Sequence, residues 1–325
     1  MTQHDVFTLF KQLMLTLLDQ SLAQKVLKLV STWLELNDWS VFDDAIQQAF
    51  WDSGQTLPGD TPVEQAAYAL KHAQHIMVFL GSGFSVDSGI ASFRTKNNDQ
   101  EAIYSGLEPW QMTHRETFTE HAKEQLQWHQ RWREVMEEAK PHAGQLALVQ
   151  LLAGDVLSPK SKVTFVTQNV DMLLEKSLEH TSRSAKELHI VHLHGTMERA
   201  RCHTCNKVAT SLSNPLPPLD QLPHCQFCGG PLRPDVVWFG EKLADEEWNK
   251  AKMSAASAEV CLIVGTSALV HPAAELPTIA KESGARLIEI NTHESLATPY
   301  CDVHIEDTAK HALVSIFEHI QTEKS

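Results

Sequence analysis

The chain has 325 residues, 27 basic and 41 acidic, for a formal net charge of −14. Its length allows one large domain or two modest ones around a substantial core. The acidic balance argues against bulk binding to nucleic acid or anionic membrane, which reward basic surfaces, and is compatible with lysine-rich partners.

The opening MTQHDVF carries an acid where a secretory signal would be basic, and no run reaches the roughly 18 apolar residues of a membrane span. The expectation is a cytoplasmic protein. Within residues 1–60, Val6, Phe10, Leu13 and Leu17, then Val26, Leu29 and Trp33, recur every three or four positions. That spacing predicts helices, with Ser21 and Gln24 as a capping box between the first two. A third helix would run through Phe42, Ile46 and Phe50. This N-terminal helical extension packs on itself or on the main body, or else offers a protein-docking surface. SGQTLPGD, residues 53–60, is rich in turn formers and reads as a linker to the main domain over 61–325.

Thr61-Pro62-Val63-Glu64 starts a helix with a cap, a first-turn proline and a capping glutamate, and that helix should end near His72. A strand over Ile76–Leu80 then runs into VFLGSGFSVDSGIASFR, residues 78–94. The loop opens like a dinucleotide loop, but G-x-G-x-x-G fails because Val86 holds the sixth position. Further β-branched runs follow at VTFVTQN (163–169), HIVHLHG (189–195), CLIVGTS (261–267) and RLIEIN (286–291), with helical segments at 120–138 and 272–281. Strands alternating with helices predict an α/β fold, a doubly wound parallel, Rossmann-like sheet. Ligands of such sheets bind beyond the carboxyl ends of the strands, where GSG, TQN, HG, GTS and IN gather.

Six cysteines in an intracellular chain point to metal or redox chemistry. Cys202/Cys205 and Cys225/Cys228 form two C-x-x-C pairs separated by 19 residues, a spacing that predicts one tetrahedral zinc ion held by four thiolates. With no open position the ion is structural, the staple of a small zinc-ribbon module inserted over 196–236. His203 and His224 beside it read as solvent-exposed. A nucleic-acid-binding knuckle is the competing reading, but the stretch 202–228 holds one lysine and no arginine for phosphates. Cys261 and Cys301 read as buried small hydrophobes.

In this order the motifs resemble the sirtuin family of NAD-dependent protein-lysine deacylases. The family's G-A-G-[IV]-S-x-x-S-G-I-P-x-F-R loop is matched at Gly81, Gly83, Ser85, Ser88, Gly89, Ile90, Phe93 and Arg94. Thr167-Gln168-Asn169-Val170-Asp171 resembles T-Q-N-[IV]-D, and His194-Gly195 the H-G motif. The four cysteines, LRPDVVWFGE (232–241), Gly265-Thr266-Ser267 and Ile290-Asn291 follow, so the resemblance covers roughly residues 65–320. It implies an NAD loop of another kind: Gly81, Ser82 and Gly83 letting backbone approach a pyrophosphate, a following helix offering amide hydrogens, Phe93 and Arg94 beside the cofactor, and the polar stretch 95–100 as a flap.

It further implies that His194 is the general base acting on ribose hydroxyls, a role suited to an imidazole titrating near neutrality. Asn169, Gln168 and Asp171 would contact nicotinamide and ribose, Thr266 and Ser267 phosphate or ribose, and Asn291 the adenine-side ribose. Val237, Trp238, Phe239 and Gly240 would hold an acyl-lysine protein substrate by main-chain pairing. Taken singly, His194 and T-Q-N-x-D are also what a buried histidine and a strand-end turn look like, and His192 is a rival base. The chain departs from the family at Ser82, Phe84, Ser92, Met172 and Leu174, and Gln145 stands where P-N-x-x-H ends in histidine. A Tyr-x-x-Arg pair that reads acidic acyl groups in some members is absent: His129 and Trp132, or Trp128 and Arg131 one position earlier, hold those places. Acetyl or a large apolar acyl group is expected. ADP-ribosyl transfer or NAD hydrolysis on the same scaffold, and a non-catalytic NAD-sensing protein, are the alternatives.

Overall fold

A computed structural model describes residues 56–92, 112–153, 161–181, 189–209 and 224–323. The helices expected within residues 1–55, Phe93 and Arg94 with the flap after them, and the proline-rich stretch between the cysteine pairs lie outside these. From Pro58 onward the chain forms a single unit.

Its first helix, α1 (Pro62–His72), starts as the sequence dictates. The Thr61 hydroxyl accepts the Glu64 amide while the Glu64 carboxylate reaches back to the Thr61 amide. Next come β1 (His75–Leu80), a 3-10 stretch (Ser82–Ser88), α2 (Phe118–Glu138), α3 (Ala143–Ala153), β2 (Lys162–Thr167), α4 (Leu173–Leu178) and β3 (His189–His192). β4 (Gly195–Cys202), β5 (Val208–Ala209) and β6 (Leu232–Val236) follow, then α5 (Asp245–Ser257), β7 (Val260–Val264), α6 (Leu276–Glu282), β8 (Arg286–Asn291), β9 (Val303–Glu306) and α7 (Ala309–Thr322).

Six strands make one sheet in the order β3-β2-β1-β7-β8-β9, every neighbouring pair parallel. Chain order reverses between β1 and β7, so that gap is the topological switch point where a doubly wound sheet opens a crevice. Helices cover both faces, which is why the central strands are apolar without alternation: β7 is buried at every position and β1 at all but its first. β9 begins two residues after Cys301, where the sequence suggests a strand start without marking a run. Its VHIE pattern is short and mixed, as suits an edge with a half-buried face.

β5-β4-β6 form a separate three-stranded antiparallel sheet between β3 and α5 in sequence, as an inserted module requires. Among the described residues its buried cluster is Ala200, Cys202, Cys225 and Leu232, with Cys205 and Ala209 packed against it. A module of about 40 residues gains little from apolar burial, so a metal held by its cysteines would contribute much of its stability.

Candidate active site

The loops beyond β1 and β7 are in backbone contact. The Gly81 amide donates to the Val264 carbonyl at 2.9 Å and the Gly83 amide to the Gly265 carbonyl at 2.8 Å. A Cβ on Gly81 would lie 2.6 Å from the Gly265 oxygen, and one on Gly83 would lie 2.7 Å from the Gly265 Cα. Gly265 itself sits at φ +61°. These glycines are therefore needed for the two strand-end loops to touch, a reason the sequence alone did not suggest. The expected helix after them is a 3-10 stretch of seven residues.

The remaining strand ends are stitched onto this pair of loops. From the β2 end, the Asn169 side-chain amide donates to the Gly81 carbonyl at 2.9 Å and to the Ser85 hydroxyl at 3.2 Å. The Gln168 amide group donates to the Thr266 hydroxyl at 3.0 Å, and the Asn291 amide group to the Thr266 carbonyl at 2.9 Å. Asp171 is buried, with one carboxylate oxygen on the Ser85 hydroxyl at 2.8 Å and the other on the Leu173 amide at 3.0 Å. Burial raises its pKa, and those two hydrogen bonds oppose the rise. Thus Gln168, Asn169, Asp171, Thr266 and Asn291 converge with Gly81, Gly83 and Gly265, each polar side chain also fastening the site together. Ser82 and Ser267 are half-buried on the same loops.

His194 follows β3 and is half-buried. Its Nδ1 lies 2.9 Å from the Gln168 carbonyl oxygen. A carbonyl only accepts, so Nδ1 carries the proton and Nε2 presents its lone pair. Burial pushes the pKa below the ordinary 6.5, partly opposed by that hydrogen bond, so the ring is a neutral base at pH 7. His192 is committed elsewhere: its Nε2 lies 2.8 Å from a Glu175 carboxylate oxygen. Gly195 sits at φ +76°, and a Cβ there would lie 1.9 Å from the Asp235 carbonyl oxygen. The glycine lets the chain leave His194 and pair at once with β6.

Beyond β6, the Val237 amide donates to the His194 carbonyl at 2.9 Å. The main chain of the next two residues is largely occupied. The Phe239 amide donates to the Thr113 carbonyl at 2.7 Å, its carbonyl accepts the Arg115 amide at 3.1 Å, and the Trp238 amide donates to Glu241 at 2.9 Å. Main-chain pairing of a peptide with Trp238 and Phe239 would have to displace these bonds. The segment turns at Gly240, φ +83°. Phe239 is exposed, whereas Trp238 is buried, with its indole N–H on His129 Nε2 at 3.0 Å.

Glu241 holds this turn in place. One carboxylate oxygen accepts from both Arg115, at 2.6 Å, and the fully buried Arg233, while the other takes the Trp238 amide. Burial would raise its pKa, but the Trp238 amide and the two guanidiniums bring it below the usual carboxylate range. Arg115 also donates to the His203 carbonyl at 3.0 Å, tying the turn to the first cysteine knuckle. Sequence reasoning missed this pair, because an arginine 126 residues before its glutamate leaves no local pattern.

Cys202, Cys205, Cys225 and Cys228 place their sulfurs within 4.8 Å of one another, with Cys202–Cys228 at 3.5 Å and Cys205–Cys225 at 3.6 Å. Four sulfurs about 2.3 Å from a tetrahedral zinc would stand about 3.8 Å apart, so the donor set fits the ion. His224 is exposed as expected. His203 is not: its ring is half-buried, with its centroid 4.4 Å from that of Phe118. Cys261 is fully buried in β7, and burial pushes the Cys301 thiol up to about 12, which keeps it unreactive.

Residues 81–272 match the Sir2 family. The NAD-dependent protein deacylase 2 of Pyrobaculum aerophilum is 37% identical over 252 residues, which span 78% of this chain and 93% of that protein. The NAD-dependent protein deacylase of Corynebacterium glutamicum is 34% identical over 78% of this chain and 94% of its own. A crystal structure of a Sir2 homologue with NAD superposes with a TM-score of 0.69 at 30% identity, covering 83% of this chain and 98% of that one.

Proposed function

The chain belongs to the Sir2 family, and on that premise we propose that it is an NAD-dependent protein deacylase acting on acyl-lysine side chains, releasing nicotinamide and O-acyl-ADP-ribose. The observation that carries the reading is the His194 ring: Nδ1–H tied to the Gln168 carbonyl and Nε2 left as a base, beside the β2 end whose Gln168 side chain reaches Thr266 beyond β7. A protein that only bound the cofactor would not need a held, neutral imidazole.

The residues present fit NAD. Gln168, Asn169 and Asp171 would hold the nicotinamide and its ribose, the Gly81–Gly83 and Gly265–Ser267 loops the phosphates, and Asn291 the adenosine side. NAD, when bound, supplies the nicotinamide–ribose bond that breaks and the ribose that accepts the acyl group. The chain's own contribution is to draw a proton from a ribose hydroxyl onto His194 Nε2, with Gln168 steadying the resulting imidazolium through Nδ1–H. Ser85 and Asn169 keep Asp171 and the Gly81 carbonyl in register. Cys202, Cys205, Cys225 and Cys228 would hold a zinc ion that staples the β4–β6 sheet, whose strands begin just after His194 and end just before Val237.

Acyl preference and location are part of the proposal. Trp128, Trp132, Trp238, Phe118 and Met112 form a buried apolar cluster together with Ile90, just past the nucleotide loop. Arg133, on the same helix as Trp128 and Trp132, is paired with Glu137 at 3.5 Å. This surrounding favours acetyl or an apolar acyl group over an acidic one. Cytoplasmic location is supported by the gathered cysteines, which must stay reduced to serve as ligands. The test incubates the full chain with NAD and acetyl-, fatty-acyl- and succinyl-lysine peptides and follows every product by mass spectrometry. Deacylated peptide with the matching O-acyl-ADP-ribose, absent in His194→Ala, is expected. Free ADP-ribose or ADP-ribosylated protein without deacylation would replace this reading with the transferase or hydrolase one.

A further inference from the structure

Where the family motif ends in histidine this chain has Gln145, and a histidine stands three residues earlier, at His142. Both side chains are buried in the turn that opens α3. The amides of Gly144 and Gln145 donate to His142 Nδ1 at 3.1 and 3.3 Å, so that nitrogen is the acceptor and Nε2 carries the proton. Nε2–H then donates to the Phe84 carbonyl at 3.0 Å. Gln145 is oriented with equal definition. Its side-chain oxygen accepts the Ser88 hydroxyl at 3.0 Å and the His142 amide at 3.1 Å, which leaves its NH2 to donate to the same Phe84 carbonyl at 2.8 Å.

Two donors from one turn thus fill both lone pairs of one carbonyl in the nucleotide loop, and Gln145 also grips the loop's far end at Ser88. The turn has no room to recoil, since a Cβ on Gly144 would lie 2.5 Å from the Ala309 carbonyl oxygen at the start of α7. We propose that His142 and Gln145 are positioning residues for cofactor binding, a clamp that sets the nucleotide loop through Phe84 and Ser88. The proposal rests on the NAD reading given above. The hydrogen bonds of both side chains end on the turn itself, Phe84 and Ser88, so they act on the cofactor only through the loop.

The clamp is also sensitive to acid. A proton on His142 Nδ1 would face the Gly144 and Gln145 amides and end the cap. The charged groups facing the ring are Asp87 from the loop, which favours the proton, and Lys310 from α7, which opposes it. Burial is the larger influence and holds the ring neutral below 6.5.

The experiment is calorimetric binding of ADP-ribose to the full chain, alongside KM for NAD and for an acyl peptide. His142→Asn keeps a short acceptor for the cap but cannot reach Phe84, and Gln145→Met keeps length without a donor. Each is expected to weaken ADP-ribose binding about fivefold, the worth of one hydrogen bond, and to raise KM for NAD while leaving KM for the peptide unchanged. Gln145→His, which restores a ring N–H, is expected to bind as wild type does. In a His194→Ala background, which removes the other histidine of the site, ADP-ribose affinity should fall as pH drops below 6.5. Adding His142→Asn to that background should reduce the pH dependence, leaving the part that belongs to Asp171, whose pKa burial raises. Unchanged ADP-ribose affinity in both weakening variants, or equal shifts in the NAD and peptide constants, would overturn the clamp. A wild-type chain that binds no ADP-ribose would overturn the functional reading, and the clamp with it.

Discussion

Replacing Gly81 with alanine separates two reasons for a glycine at the end of β1. Gly81 has φ −117° and ψ −177°, a conformation open to any residue, so only space is at issue. The new methyl would lie 2.6 Å from the Gly265 oxygen and the Thr266 Cβ and 2.7 Å from the Thr266 Cα. An ordinary contact needs about 3.5 Å, so the loops beyond β1 and β7 must part by about 0.9 Å. Overpacking of this kind costs about 1–3 kcal/mol. Stretching the Gly81–Val264 and Gly83–Gly265 hydrogen bonds, now 2.9 and 2.8 Å, adds about 1 kcal/mol. A total near 3 kcal/mol lowers the melting temperature by roughly 6–12 °C for a domain of this size. The assay is thermal unfolding of the cofactor-free protein followed by circular dichroism. A variant that melts with the wild type yet loses NAD affinity would refute the packing argument and return the glycine to a purely cofactor-facing role.

Other substitutions test the remaining parts. His194→Ala should cut kcat by about 10²–10⁴ with little change in ADP-ribose affinity. Because burial lowers this histidine's pKa, wild-type kcat should hold above that value and fall as pH drops through it, below 6.5, and an acid limb above 6.5 would contradict the assignment. Glu241→Gln leaves fully buried Arg233 without its counter-charge and should destabilise the fold by about 3–5 kcal/mol in urea unfolding. Since the Glu241 carboxyl is held below its ordinary 4.5, its contribution is complete above that pH and is lost as pH falls through the lower folded value, a limb the variant should lack. Elemental analysis should find one zinc per chain, and Cys225→Ser should lose the ion together with the circular dichroism of the β4–β6 sheet; retained deacylation by a zinc-free chain would show the module dispensable.

Much of this molecule was legible locally. The Thr61–Glu64 capping box, the β-branched strand runs, the C-x-x-C spacing and the strand-end clusters are short-range patterns, set by hydrogen-bond reach within a few residues or by the two-residue period of a strand. They determined the doubly wound sheet, the zinc ligands and which strand ends face the crevice. Tertiary structure alone decided what brings distant residues together. The reason Gly81, Gly83 and Gly265 must be glycines is visible only when two loops far apart in the chain are seen in contact. The tautomer of His194 is set by a backbone carbonyl 26 residues earlier, and that of His142 by amides and a carbonyl on opposite sides of its ring. The Arg115–Glu241–Arg233 ion cluster spans 126 residues and leaves no periodic trace. Periodicity reports which way a side chain faces on its own element, whereas hydrogen-bond partners and steric contact depend on where the fold sets other elements, and no local pattern encodes that.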